Sequence, residues 1–292
     1  MGFSFACIGA YVLLVGVASF VESPIGKGFG AFQLNVLIRI GGLVVGVVAL
    51  LAVHGMTLPP ALPLLAGIGI GIIAGAGSIC YCLALDYLSV SVVVACANLY
   101  IIVTVLLGIV ILHESVTPLK IAGLALTLAG VLLLSYTPGR FGVAPGAGNT
   151  RPYPRLLPVG IMAAYVVLIG TSTYLEKPAL RALDATQLNG LQAIGMVIVA
   201  VIALAVRGGA FRPSRHALEG SLVGVMLGLG SIFYFLGLQR LPVSVAAAGS
   251  NAYMVVTVLL SIVVLHEVLA RPKRVGIALT VAGVTLLAYG VG

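Results

Sequence analysis

Residues Gly71–Tyr136 read GIIAGAGSICYCLALDYLSVSVVVACANLYIIVTVLLGIVILHESVTPLKIAGLALTLAGVLLLSY, and residues Gly224–Tyr289 read GVMLGLGSIFYFLGLQRLPVSVAAAGSNAYMVVTVLLSIVVLHEVLARPKRVGIALTVAGVTLLAY. Aligned without a gap, 36 of the 66 positions are identical. Gly77-Ser78-Ile79 answers Gly230-Ser231-Ile232, and Leu112-His113-Glu114 answers Leu265-His266-Glu267. The match continues upstream at an offset of 154 instead of 153: Ala10-Tyr11-Val12 with Ala164-Tyr165-Val166, Glu22 with Glu176, Pro24 with Pro178, and Gln33-Leu34-Asn35 with Gln187-Leu188-Asn189. Self-similarity over so long a period means that one structural unit has been duplicated in tandem.

Each unit is made of continuous apolar runs, most of them about 18–24 residues long, the length a helix needs to cross hydrocarbon. Ten are present: Phe3–Val21, Phe32–Val53, Leu62–Leu85, Val90–Leu112, Leu119–Tyr136, Leu156–Leu175, Leu188–Val206, Ala217–Leu238, Val243–Leu265 and Val275–Tyr289. A membrane β-barrel would alternate apolar and polar residues instead. The reading is an all-α membrane protein with ten transmembrane helices. Five spans per unit is an odd number, so the second copy enters the membrane from the opposite face. That arrangement is two inverted five-helix repeats, and it supplies two alternative half-states around one midplane site. The expected units are 1–137 and 156–292. Between them, 138–155 is rich in Pro and Gly and reads as a linker.

Composition excludes other classes. Of 292 residues 8% are charged and 61% hydrophobic, against roughly 25% charged in a soluble domain; mean hydropathy is +1.23. Such a chain cannot cover a globule with a charged skin. The net charge of +8 is spread in ones to threes between apolar runs, so no basic tract tracks a nucleic acid. No Lys or Arg precedes Lys27, so the first span is not a signal peptide. The four cysteines lie within spans and form no disulfide framework. No Walker-type loop is present, which excludes ATP-driven transport by this chain alone. No cofactor or metal is expected, and the chain is read as a transporter and not an enzyme.

Ten spans in two inverted halves, with Leu112-His113-Glu114 followed by Gly123 and Gly130, and Leu265-His266-Glu267 followed by Gly276 and Gly283, resemble the EamA-type branch of the drug/metabolite transporter superfamily. Gly170–Pro178 (GTSTYLEKP) is similar to the family's end of the sixth span, while Ala18–Pro24 lacks its Lys. Arg39 stands where the family often has an Arg. The resemblance implies a cavity lined by spans 1, 3, 4, 6, 8 and 9, a prokaryotic plasma-membrane location, and cytoplasmic termini. Loop charges point the other way. Ten Lys or Arg, Lys27, Arg140, Arg151, Arg155, Arg207, Arg212, Arg215, Arg271, Lys273 and Arg274, follow odd-numbered spans, and four follow even-numbered ones; this favours external termini.

Candidate site residues follow from polar groups inside spans. Asn98 and Asn251 are symmetry mates, each two residues before a tyrosine (Tyr100, Tyr253); as amides they either read a substrate or glue helices. Ser78 with Tyr81, and Ser231 with Tyr234, share helical faces. Tyr11 and Tyr165 occupy equivalent places in spans 1 and 6. Together the tyrosines form an amphipathic wall suited to rings or to a quaternary ammonium. Glu22 and Glu176 are coupling candidates for a proton or cation, or else interfacial acids, with Lys177 or Arg181 as partners for Glu176. Arg39, opposite Ala193, is either an anion ligand or a structural cation bonded to carbonyls. Glu114 and Glu267, each preceded by a histidine (His113, His266), are read as braces for the turns into spans 5 and 10. The expected function is secondary transport of amino acids, related metabolites or drugs by alternating access. Uptake of a small organic cation and a passive channel are the alternatives. The partners are a small-molecule substrate and the bilayer, with the chain as a monomer or homodimer.

Overall fold

The computed structural model describes residues 2–25, 30–135, 156–207, 217–266 and 271–290. The expected linker 138–155, Glu267, and the loop cations Lys27, Arg140, Arg151, Arg155, Arg212 and Arg215 lie outside the described residues.

The described chain is helical throughout. Its helices are α1 (Gly2–Ile25), α2 (Ala31–His54), α3 (Ala61–Ala84), α4 (Val90–Ala97), α5 (Tyr100–Leu112), α6 (Pro118–Ser135), α7 (Leu156–Ala179), α8 (Ala185–Val206), α9 (Ala217–Leu238), α10 (Val243–Ser250), α11 (Tyr253–Leu265) and α12 (Arg271–Tyr289). Among the described residues, nine segments are long and apolar enough to cross a membrane, α4–α5 and α10–α11 each counting as one. Large apolar side chains stay exposed on their outer faces, for example Val48 at 60%, Leu65 at 64% and Val110 at 66%. Such a surface suits lipid and not water. The tenth helix begins at Arg271 instead of Val275, because Pro272 suits a first helical turn and three basic residues there can reach toward headgroups.

Two differences from the sequence expectation matter for function. Helices α1 and α7 run past Val21 and Leu175, so Glu22 and Glu176 sit in the last helical turn of their spans. The fourth and ninth spans are also broken. Leu99 bonds back three residues to Cys96 O at 3.0 Å, and Ala252 to Gly249 O at 3.1 Å. The tighter three-residue bonding separates α4 from α5 and α10 from α11 at the two mates Asn98 and Asn251.

The two halves pack as exchanged copies. Helix α3 lies along α8 and α2 along α9, and α1 meets α9 as α7 meets α3. Helices α2 and α8 are mates in the duplication, and they run antiparallel: Arg39 reaches Met196 while Gly46 abuts Gly190. Mates α6 and α12 are antiparallel too, Gly123 meeting Gly283 and Leu287 while Gly130 meets Gly276 and Thr280. Close approach depends on glycine at the seam. A Cβ on Gly41 would collide with Ser221 O, and one on its partner Gly224 with Ile38 O. Gly71 against Gln192 O and Gly195 against Ile68 O repeat the arrangement. In lipid, where helices gain little from hydrophobic exclusion, such small-residue contact is the main source of association. The same symmetry governs polar bonds. Thr257 Oγ1 donates to Gly16 O at 3.0 Å, and its mate Thr104 donates to Gly170 O at 3.0 Å.

Candidate functional site

Six tyrosines gather between the halves, as three mate pairs. Tyr11 of α1 packs on Tyr234 of α9, ring centroids 5.3 Å apart at 48°. Its exchanged copy is Tyr165 of α7 on Tyr81 of α3, 5.7 Å apart at 50°. Tilted contacts of this kind suit the ring quadrupoles. Tyr100 and Tyr253 open α5 and α11 just after the breaks. All but Tyr234 are half-buried, and each packs against the edge of a buried apolar cluster. The hydroxyl of Tyr234 is buried without a hydrogen-bond partner.

The other sequence-predicted residues divide. Asn251 Oδ1 accepts from Tyr100 OH at 3.5 Å across the halves, and its buried Nδ2 has no partner. Asn98 instead turns Nδ2 onto its own helix, to Val94 O at 2.7 Å. Ser78 donates to Gly75 O at 2.7 Å and accepts from Asn35 Nδ2 at 3.4 Å. Ser231 donates to Leu227 O at 3.0 Å, so both serines are spent on their own helices. Among the described residues Arg39 bonds side chains and no backbone carbonyl: its Nε donates to Asn35 Oδ1 at 3.2 Å and Nη1 to Met196 Sδ at 3.7 Å.

Glu176 departs from expectation. Its partner is neither Lys177 nor Arg181 but Gln192, whose Nε2 donates to Oε1 at 2.8 Å. Lys177 points elsewhere and caps the end of α9, donating to Leu238 O at 2.6 Å, Gln239 O at 3.1 Å and Leu241 O at 2.8 Å. Glu176 is 6% exposed and lies within electrostatic reach of Tyr234 and Tyr11. Glu22, its mate, is half-buried with Arg39 as a nearby cation. Gln192 was not singled out in the sequence; the signal available was that the repeat puts Ile38 in its place.

Glu114 does more than brace its own turn. His113 takes a left-handed φ of 53°, a conformation His tolerates better than most residues, and ends α5. Glu114 then accepts from Lys120 Nζ at 3.1 Å, from the amide and hydroxyl of Ser244 and from the amide of Val243. It therefore caps α10 of the opposite half, satisfying amides that a helix start leaves open. Lys120 is 3% exposed and also donates to Ser115 O at 3.0 Å. Among the described residues no group of three His, Cys, Asp or Glu could hold a metal ion.

The two ends of the molecule differ. Every residue of α10 is buried, and α10 packs against α5 and α6 of the first half. Its mate α4 has no comparable packing on α11 or α12 among the described residues, and Val90 is 63% exposed. Helix α4 packs on α7 through Val93, Ala97 and Met162, and an apolar cavity of about 580 Å³ beside that contact is lined by Leu88, Val92, Pro158 and Met162 among others. Their mates Leu241, Val245, Ser4 and Ile8 are buried at 1%, 3%, 0% and 6%, whereas of the four only Pro158 and Met162 are buried and Leu88 and Val92 are half-buried. The α10 end is thus more fully covered than the α4 end.

The profile of the EamA-like transporter family matches residues 3–136 and again residues 157–289. The chain belongs to that family. It is therefore a multi-pass membrane transporter of small molecules, and the resemblance seen in its motifs holds. It is similar to the "Probable glucose uptake protein GlcU" of Priestia megaterium, 25% identical over 272 residues, covering 89% of this chain and 90% of that protein. The protein of the same name from Bacillus cereus is 24% identical over 233 residues, covering 77% and 78%. A solved crystal structure superposes with a TM-score of 0.81 at 20% identity, covering 99% of this chain and 97% of the other; this likeness concerns the fold alone.

Proposed function

We propose that this EamA-family chain is a secondary carrier in a prokaryotic plasma membrane, moving a small polar metabolite by alternating access, with a sugar as its leading substrate. The observation that carries the reading is the unequal cover of two mate helices in a molecule built from exchanged halves: α10 is wholly buried against α5 and α6 of the first half, and α4 has no comparable packing on α11 or α12 among the described residues. Mates that run antiparallel place equivalent gates on opposite faces of a bilayer, so swapping the two conformations would swap the face that opens. A passive channel needs no such inequality, and that alternative weakens accordingly.

The lining favours a neutral solute. Six tyrosines offer ring faces for the apolar side of a pyranose, while the free Asn251 amide and the Tyr234 hydroxyl offer donors for its oxygens. The names of the Priestia and Bacillus relatives favour a sugar in the same way. Amino-acid transport, the first expectation from sequence, remains the second reading because Glu22 and Arg39 feel one another's charge and offer an acid and a cation to the two ends of a zwitterion. A quaternary amine would use the same tyrosines.

Counterflow in proteoliposomes tests the assignment. Vesicles preloaded with unlabelled glucose should accumulate labelled glucose transiently, and vesicles preloaded with amino acids or choline should not accumulate their own labelled forms. Accumulation of the amino acids alone would install the second reading. Linear, non-saturable leakage of every solute would overturn the carrier mechanism.

A further inference from the structure

The duplication has diverged most sharply around its two intramembrane acids. Glu22 and Glu176 are mates, yet their neighbours on the second and seventh spans are not. Beside Glu22 the chain carries Ile38 and Arg39; at the equivalent positions beside Glu176 it carries Gln192 and Ala193. The first acid thus has a guanidinium in its surroundings, and the second has only an amide, at 2.8 Å. Sequence alone sets this asymmetry, so it persists whichever end of the molecule is open.

Glu176 has no ion-pair partner among the described residues. Three pairs are present there, His54–Asp184, Lys120–Glu114 and Arg207–Asp86, and the adjacent Lys177 is committed to three carbonyls. The titratable groups facing Glu176 are Tyr11 on α1, Tyr100 on α5 and Tyr234 on α9. Helix α8 brings Gln192, and α10 contains no titratable residue. On α3, Tyr81 and Cys82 lie toward Glu22, and Cys96 of α4 lines the separate apolar cavity. A carboxylate 6% exposed with one neutral donor and no cation is costly to keep ionised. The Tyr234 hydroxyl, within electrostatic reach of it, is buried and unpartnered.

Resting on the carrier reading, we infer that Glu176 is the single proton-carrying acid of the transport cycle, and that Glu22 is a fixed charge balanced by Arg39. When the Glu176 side of the cleft opens, a proton from water bonds the carboxylate oxygen left free by Gln192. The neutral acid then travels through the closed state and releases the proton to water on the other face. One O–H bond forms and one breaks, and no other reactant is needed. Gln192 holds Oε1 in both states and is a positioning residue.

Two measurements test this on the full chain in lipid. The first needs no substrate: infrared difference spectra between high and low pH read the carbonyl stretch of a buried protonated carboxyl. Wild type should show this band, Glu176→Gln should lose it, Glu22→Gln should keep it, and Gln192→Ala should move its frequency because a hydrogen bond is gone. A band that survives Glu176→Gln but disappears in Glu22→Gln, or that is missing from wild type, overturns the inference. The second uses labelled glucose. An imposed pH gradient should accelerate wild-type flux, and Glu176→Gln should lose that acceleration while Glu22→Gln keeps it. Gradient-driven flux in Glu176→Gln overturns it as well. A wild type that moves no glucose would count against the sugar reading alone, and the infrared result would still decide the proton site.

Discussion

The carboxylate of Glu114, in the turn after the fourth span, accepts a hydrogen bond from the hydroxyl of Ser244 in the first turn of α10. One residue of the first half thereby holds the helix start of the second, at the more fully covered end of the molecule. Its sequence mate Glu267 lies outside the described residues.

Replacing Glu114 with Gln should loosen that end. The variant keeps the shape but loses the charge that Lys120 and the α10 amides share, at a cost of about 1–3 kcal/mol. In a cysteine-free background, Ser250→Cys on buried α10 should then react faster with a water-soluble thiol reagent. Unchanged labelling would show that Glu114 does not hold that end closed.

The glycine seam makes a prediction with its own controls. Gly41→Ala and Gly224→Ala each drive a methyl group into a facing carbonyl, and overpacking of this kind costs roughly 1–3 kcal/mol. Gly9→Ala and Gly69→Ala meet nothing within 4 Å and should raise stability slightly, since Ala is the better helix former by about 1 kcal/mol. Thermal unfolding in detergent separates the two pairs; equal loss in all four would count against close packing as the cause.

Tyr234→Phe removes a hydroxyl that bonds nothing in the protein. Folding stability should hold or rise, while the KM for the transported solute rises roughly twofold to tenfold, the worth of one neutral hydrogen bond. A stability loss with unchanged KM would place the hydroxyl in the fold and not in the site.

Asp184 precedes α8 and caps it, accepting from Thr186 N at 2.8 Å and Gln187 N at 2.9 Å, while Gln187 Oε1 takes the Asp184 amide at 3.2 Å. Burial pushes its carboxyl up, but the bonds from Thr186 and Gln187 and the nearby His54 outweigh it and leave it below the ordinary value. A depressed value in the folded state means stability that is present above the unfolded value and lost as pH falls through the folded one. Asp184→Ala should cost about 0.5–2 kcal/mol at neutral pH. Its deficit against wild type should narrow below about pH 4, where the free carboxyl protonates.

The fold was largely legible because its signals are long. Apolar runs and a 153-residue offset each rest on dozens of positions, so the fourth span could not be mistaken even though it contains a break. The break itself left almost no trace: neither Pro nor Gly stands at Asn98-Leu99, and only the recurrence of Asn before Tyr marks both sites. Site chemistry is a matter of single residues and was harder to read. Glu176 and Lys177 are adjacent in sequence, but consecutive side chains on a helix leave it in different directions, so the neighbour in the chain was not the neighbour in space. Gln192 hid in an apolar run. Glu114 could be seen as a brace for its own turn, but which distant helix end it reaches depends on how two halves dock.

The contacts at Gly41, Gly71, Gly195 and Gly224 put backbone directly on backbone, with no side-chain layer between helices to shear. Sliding along that line would drive chain atoms into one another, whereas rotation about it leaves the four points almost where they are. Under the carrier mechanism proposed above, the seam would act as an axle, and the parts left to swing would be the short arms beyond the breaks at Asn98 and Asn251.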